Sequence, residues 1–245
     1  MSSTNSIAID SLCVGYSGRQ VLRIEKLELV EGSVTALIGP SGCGKTSLLN
    51  CMNGLIDPLG GSIAFQISGR MSTSPPRARI GRTFQGFPIV PWLRVRDNFR
   101  LRSRILGSAI DPEAELSSVN AAHLLNRFPS TLSGGERAKC AIALALAGDS
   151  SILLMDEPFN GLDHWIRKDI VGHVRTQTKA RRLVTVIVTH DVFDSCLIAD
   201  EILLLGGTPT TVQRSLKRPA QGYSIDQIMT EFDRCPDSSR DCSAI

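Results

Sequence analysis

The stretch Gly39-Pro40-Ser41-Gly42-Cys43-Gly44-Lys45-Thr46-Ser47 leaves this chain few architectures to choose from. It follows Val34-Thr35-Ala36-Leu37-Ile38, a short apolar run rich in β-formers, and precedes residues 47–53, which suit a helix. A buried strand must therefore enter a tight glycine turn that opens into a helix. Gly39, Gly42 and Gly44 let the backbone curl so that its N–H groups converge on an anion. The helix start adds about half a positive charge at the same point. Lys45 is placed to reach the β- and γ-phosphates of a nucleotide, and the Thr46 hydroxyl to ligate Mg2+. A plain glycine turn would explain the letters but not the strand before them and the helix after.

A chain of 245 residues can bury a substantial core. Its formal net charge of +3 is too small for a duplex-binding face, so nucleic acid is not an expected partner. Residues 1–6 show neither the basic nor the apolar region of a secretory signal. The longest apolar run, residues 140–147, falls far short of the ~20 residues that span a bilayer. The chain is thus expected not to cross a membrane by itself. Seven scattered cysteines, without the close pairing of a zinc site, read as reduced thiols of a cytosolic protein. Cys43 stands apart because it lies inside the phosphate loop, where the helix-end charge favours reactivity.

Along the chain, Ile7, Ile9, Leu12 and Val14 mark a first strand over residues 7–14, with Gly15-Tyr16-Ser17-Gly18 as its turn. Tyr16, beside that turn, is either a packing residue or a ligand contact. Leu27 and Leu29 read as a second strand that ends at Glu31-Gly32. Gly60-Gly61 is expected to end the helical stretch after the phosphate loop, with a strand over residues 62–67. Residues 72–79, rich in Pro, Ser and Arg, read as an exposed connection. A short strand over residues 80–84 leads to Gln85, after which Gly86, Pro88 and Pro91 force a loop. Residues 96–106 and 113–128 read as two helices, so residues 86–131 form a helical insertion. Leu132-Ser133-Gly134-Gly135-Glu136 opens the next helix, with Ser133 and Glu136 spaced as a capping box. An apolar strand, residues 152–155, runs into Asp156-Glu157-Pro158. Residues 165–179 read as a helix, 183–189 as a buried strand ending at His190-Asp191, and 200–205 as the last clear strand. Residues 224–232 suit a short amphipathic helix, and residues 235–245 a disordered tail. This alternation argues for an α/β fold with a mostly parallel sheet covered on both faces.

A carboxylate at a strand end can hold Mg2+ beside Thr46, and a second one next to it can take a proton from the attacking water. Two adjacent acids at a strand end also occur as solvated turn residues, and a lone strand-end histidine can be a buried structural imidazole. The order decides between these readings: phosphate loop, strand-end Gln85, Leu-Ser-Gly-Gly-Glu, apolar strand with Asp156-Glu157, Leu162-Asp163, strand-end His190. In residues 7–216 the chain resembles the nucleotide-binding subunit of an ATP-binding cassette (ABC) transporter, and residues 132–136 are the most specific part of the likeness. The resemblance implies a phosphate-loop NTPase core with an antiparallel β subdomain and a helical subdomain at about residues 86–131, all within one ATPase domain over residues 1–234.

By the same resemblance Tyr16 would stack on adenine, while Gly39, Ser41, Gly42, Cys43, Gly44, Lys45, Thr46 and Ser47 would cradle the phosphates of ATP. Thr46, Gln85 and Asp156 would serve Mg2+, Glu157 would be the general base and His190 would contact the γ-phosphate. Ser133, Gly134 and Gly135 would meet ATP held by a second copy of the chain, and Asp163 would line the same seam. A helix start supports that arrangement, since its free N–H groups and dipole favour an anion. Thr83-Phe84-Gln85 followed by Pro91-Trp92-Leu93-Arg94-Val95 and Asn98 resembles importer subunits for nitrate, sulfonate, taurine and related solutes. Implied partners are transmembrane permease subunits and a solute-binding protein, with this chain peripheral on the cytoplasmic face of the inner membrane.

Two other readings compete. A soluble ABC-type ATPase acting on nucleic acid would carry heptad insertions or tandem cassettes, and neither is present. A nucleotide-gated regulator without turnover is disfavoured by intact Glu157 and His190. Lys139 and Leu144 stand where relatives usually have Arg, and Asn160-Gly161 replaces a commoner small pair. Arg96, Arg100 and Arg104, with Arg94 and Arg102 nearby, form a basic stripe, either a solvated face or one that meets acidic groups on a membrane partner or anionic lipid.

Overall fold

The computed structural model describes residues 4–85 and 89–235. The chain opens with a long hairpin in which β1 (Ser6–Tyr16) and β2 (Arg19–Val30) pair antiparallel, Ile7 opposite Leu29 and Leu12 opposite Ile24. β3 (Ser33–Ile38) leads through the glycine loop into α1 (Lys45–Met52). β4 (Gly60–Ile67) returns against β1, and β5 (Arg70–Ser72) completes a four-stranded antiparallel sheet in the order β2-β1-β4-β5. The remaining elements are β6 (Ile80–Thr83), α2 (Val95–Leu106), α3 (Pro112–Ser117), α4 (Gly134–Leu146), β7 (Ile152–Asp156), α5 (His164–Ala180), β8 (Val184–Val188), α6 (Val192–Ile198), β9 (Glu201–Gly206), β10 (Thr211–Lys217) and α7 (Ile225–Asp233).

A six-stranded sheet, ordered β10-β9-β3-β8-β7-β6, is the frame of the molecule; every neighbouring pair is parallel except β10 with β9. Alternate side chains separate its faces. On β7, Leu153 and Met155 join the cluster built with α2, α4 and α5, whereas Ile152 and Leu154 join the one that contains α1 and the antiparallel sheet. Both faces are therefore covered, which is why these strands read as continuous apolar runs. Residues 89–131 pack through Val95, Phe99, Leu116 and Leu124 onto the first of these clusters.

The structure corrects several expectations. Residues 113–128 are not one helix: α3 stops at Ser117, and short 3-10 turns follow at Ala122–Leu124 and Pro129–Thr131. Ser117 and Ser118 turn their hydroxyls back onto the Glu113 and Glu115 carbonyls, and Asn120 takes a left-handed conformation (φ 53°). These are the local competitors of helix. Gly60-Gly61 begins a strand instead of ending a helix, because α1 is already finished at Met52. β2 starts at Arg19, well before Leu27. α6 and β10 were not foreseen; β10 is a polar edge strand, half exposed, with no alternation to betray it. The expected tail over residues 235–245 does not begin at Cys235, which is buried in the cluster beside α7 with its N–H on the Phe232 carbonyl; residues 236–245, like the expected loop at Gly86 and Pro88, lie outside the described residues.

Candidate functional site

Four neighbouring parallel strands, β3, β8, β7 and β6, end at one edge of the sheet, and each delivers a residue singled out in the sequence. Gly39 follows β3, His190 follows β8, Asp156 and Glu157 close β7, and Gln85 follows β6. Ligands bind at such carboxyl edges because loops and helix starts converge there.

At the centre is the glycine loop. Gly42 and Gly44 have φ of 78° and 94°, values L-residues rarely adopt. A Cβ on Gly44 would lie 3.1 Å from both Leu22 Cβ and Val21 Cγ1, so β2 presses directly on the loop. Gly44 caps α1 without a side-chain hydrogen bond, and the first turn holds no acidic residue, so its N–H groups remain available to an anion. Lys45 is buried and donates from Nζ to the carbonyls of Gly39 and Pro40, 2.7 Å each, with Cys43 Sγ 3.7 Å away. Tyr16 bonds through its hydroxyl to Ser47 Oγ (3.0 Å) while half of its surface stays open, which separates it from the packing role of a core aromatic.

Asp156 is 3% exposed, and its Oδ1 is buried without a hydrogen-bond partner. Burial pushes its carboxyl above the ordinary range, against the opposing pull of the Thr46 hydroxyl that bonds to it and of the nearby Arg82 guanidinium. An orphaned carboxylate oxygen beside a threonine hydroxyl is a hard, oxygen-only donor pair, and it fits Mg2+, which keeps waters and takes phosphate oxygens for the rest of its shell. The Asp156 backbone N–H donates to Thr83 Oγ1 (3.2 Å), tying β7 to β6 just before Gln85. Glu157 sits in a left-handed conformation (φ 47°), an unusual state for a non-glycine that marks a constrained turn. Its Oε1 lies 2.8 Å from His190 Nδ1. Gln85, Glu157 and Gly134 share a cleft of about 210 Å³.

Ser133 forms the expected capping box: Glu136 N–H donates to Ser133 Oγ (3.2 Å), and Ser133 N–H donates to Glu136 Oε2 (2.8 Å). The hydrogen bonds from Ser133 hold the Glu136 carboxyl below its ordinary range. Gly135 abuts the turn after Glu157, since a Cβ there would stand 3.2 Å from the Gly161 carbonyl oxygen.

Residues 22–160 match the family model for the ABC transporter. The chain belongs to the ABC transporter family. Within that family, the cassette is 33% identical over 204 residues to the aliphatic sulfonates import ATP-binding protein SsuB 2 of Burkholderia cenocepacia (strain HI2424), covering 82% of this chain and 74% of that one. It is 36% identical over 205 residues to the putative 2-aminoethylphosphonate import ATP-binding protein PhnT of Salmonella typhimurium, covering 81% of this chain and 56% of the relative. Among solved structures, the dimeric structure of a bacterial ABC transporter cassette superposes with a TM-score of 0.75 at 25% identity, over 86% of this chain and 98% of that chain. The same cassette in a dimeric post-hydrolysis state with ADP and Pi gives a TM-score of 0.76. The fold expected from the sequence is the observed one.

Three features of the cassette lay beyond local reading. Thr83 and Arg82 serve Asp156 from the neighbouring strand, and only their closeness to Gln85 in sequence hinted at it. Arg82 also donates to the Leu49 carbonyl and lies over the Phe84 ring, 4.4 Å from its centroid, so it joins β6 to α1. The arginines of α2 are not one free stripe. Arg94 donates to the Asn126 carbonyl and lies over Phe128, Arg96 donates to Asn126 Oδ1 (2.7 Å), and Arg100 pairs with Asp97 (2.9 Å). Arg102 donates to the Ala145 and Ala147 carbonyls and Arg181 to those of Leu146 and Gly148, so two distant arginines cap α4 where Leu144 instead packs on the apolar cluster. Among the described residues no helix is long and apolar enough to cross a membrane.

Proposed function

We propose that this cassette is the ATP-hydrolysing subunit of an importer, working as a pair of copies beneath separate permease subunits on the cytoplasmic face of the membrane. The observation that carries the reading is the hydrogen bond between Glu157 and His190, set at the sheet edge beside the orphaned Asp156 oxygen and the phosphate loop. A regulator that only binds nucleotide has no use for that pair. The α1 N–H groups and Lys45 hold the β- and γ-phosphates, with phosphate oxygens competing against the Gly39 and Pro40 carbonyls for the ammonium. Tyr16 stacks on adenine. Asp156, Thr46 and Gln85 serve Mg2+, which when bound neutralises charge on the phosphate oxygens. Glu157 accepts the proton of the attacking water at a carboxylate oxygen, and His190 orients that carboxylate through Nδ1. Ser133, Gly134 and Gly135 face ATP held by the second copy, and Asp163 lines the seam.

The relatives named for aliphatic sulfonates and 2-aminoethylphosphonate support a small oxyanion-bearing solute, handed over by a solute-binding protein. The cassette is one domain over residues 1–234. Release of phosphate from ATP by the purified chain, with and without Mg2+, tests the reading. Glu157→Gln keeps the side-chain volume and an acceptor for His190 while removing the base, so it should retain ATP, accumulate dimer and lose about 10²-fold or more in rate. A variant that stays monomeric and active would refute the assignment.

A further inference from the structure

Arg167 stands one turn into α5, where its backbone N–H bonds to the Asp163 carbonyl (2.8 Å). Its guanidinium leaves the helix and ends between two loops. Nη1 donates to Asp191 Oδ2 (2.8 Å) and Asp194 Oδ1 (3.4 Å), and Nη2 donates to the Leu162 carbonyl (3.4 Å). Asp191 follows His190 directly and caps α6, its Oδ1 accepting the N–H groups of Phe193 and Asp194. Leu162 ends the tight turn that begins at Glu157, in which Asn160 N–H bonds to the Glu157 carbonyl and Leu162 N–H to that of Phe159. One planar fork thus grips both segments whose side chains meet at the Glu157–His190 hydrogen bond.

His190 cannot owe its position to packing, because 65% of its side chain is exposed, against 10% for Glu157. Its place is set by the backbone that carries it: Thr189 N–H bonds to the Leu37 carbonyl (3.3 Å) and Glu157 N–H to the Val188 carbonyl (2.9 Å) up to the strand ends, and beyond them the α6 cap and Arg167 hold the loop. The grip is partly shielded from solvent, since side-chain exposure is 21% for Arg167, 32% for Asp191 and 4% for Asp194, so salt screens it less than a fully exposed pair.

The geometry points to Arg167 as a positioning residue for ATP cleavage: it clamps the loop bearing His190 to the loop bearing Glu157 and keeps the two side chains in hydrogen-bond register. This rests on the ATP-hydrolysing reading above. Lysine cannot replace it fully, because a single ammonium lacks the fork that spans a carboxylate on one loop and a carbonyl on the other.

Arg175 supplies an internal control. It lies two turns further along α5 and makes the same kinds of contact, with Asp200 Oδ1 (2.9 Å) and the Leu197 carbonyl (3.4 Å), at the far end of α6 from His190. The test measures kcat, KM for ATP and melting temperature for the full chain and for Arg167→Met, Arg167→Lys and Arg175→Met. A displaced base costs turnover more than binding, so Arg167→Met should lower kcat by about 10-fold to 100-fold with KM within about threefold. Arg167→Lys should recover part of the loss, and Arg175→Met should lose stability with kcat within about twofold of wild type. Folded Arg167→Met with wild-type kcat overturns the clamp, as does an equal kcat loss in Arg175→Met. Should Arg167→Met not fold, Arg167→Lys decides: reduced kcat at unchanged KM and melting temperature supports the clamp, and wild-type kcat overturns it. A wild-type chain without turnover would overturn the functional reading and the clamp together, whereas unaffected variants of an active chain overturn the clamp alone.

Discussion

Gly44→Ala tests the link between the antiparallel sheet and the nucleotide site. The backbone at Gly44 has φ of 94°, and a left-handed L-residue costs roughly 1–2 kcal/mol. The added Cβ would stand 3.1 Å from Leu22 Cβ and Val21 Cγ1, both on a strand anchored in the core, and such overpacking costs about 1–3 kcal/mol. The sum is about 2–5 kcal/mol, or about 30-fold to several thousand-fold in an equilibrium constant. If the empty loop keeps its shape, the whole penalty falls on folding and is read as a lower urea midpoint. If the loop relaxes when empty, ATP must restore it and the penalty falls on affinity. Urea melts and fluorescent-nucleotide titrations on the same samples therefore measure two parts of one sum. Gly134→Ala is the comparison, since nothing lies within 4 Å of its added Cβ and its backbone is not left-handed. It should match or slightly exceed wild-type stability in a helical first turn, and any loss of turnover would then report contact with the second copy. Gly44→Ala with both stability and affinity within about 0.5 kcal/mol of wild type would refute the reasoning.

Asp156→Asn should raise the melting temperature of the nucleotide-free chain, because burial already disfavours the ionised carboxyl, while abolishing the extra stabilisation that Mg2+ adds to ATP; melts with and without each ligand check both signs. Asp194 is pushed up to about 6 by burial and then by the Asp191 charge, against Arg167. A carboxyl raised on folding binds its proton more tightly in the native state, so stability falls as pH climbs from about 4 to about 6. The stability difference should move in favour of Asp194→Asn by about 1.4 kcal/mol between about pH 5 and pH 8, read from urea melts, and a constant difference would contradict it. Arg102→Met leaves the Ala145 and Ala147 carbonyls at the end of α4 and the Ser150 hydroxyl without their charged donor, and should cost about 2–4 kcal/mol in urea without changing ATP affinity.

The elements that were legible in the sequence depend on near neighbours. The phosphate loop needs its glycines and the strand before them, the α4 start needs Ser133 and Glu136 three apart, and the strand-end acids and histidine follow runs that only a buried parallel strand tolerates. Local chemistry dictates these, so the family, the fold class and the candidate residues could be named before any coordinates. Tertiary structure decided what depends on partners far along the chain. The arginines of α2 read as one stripe, yet Arg94 and Arg96 are used by Asn126, and Arg102 by carbonyls more than forty residues away. Thr83 supports Asp156 across 73 residues, Glu157 meets His190 across 33, and Arg167 reaches Asp191 and Asp194 from another helix. Periodicity and capping carry no record of such pairs, because which side chains share a sheet edge is fixed only once the strand order β3-β8-β7-β6 brings separate segments side by side.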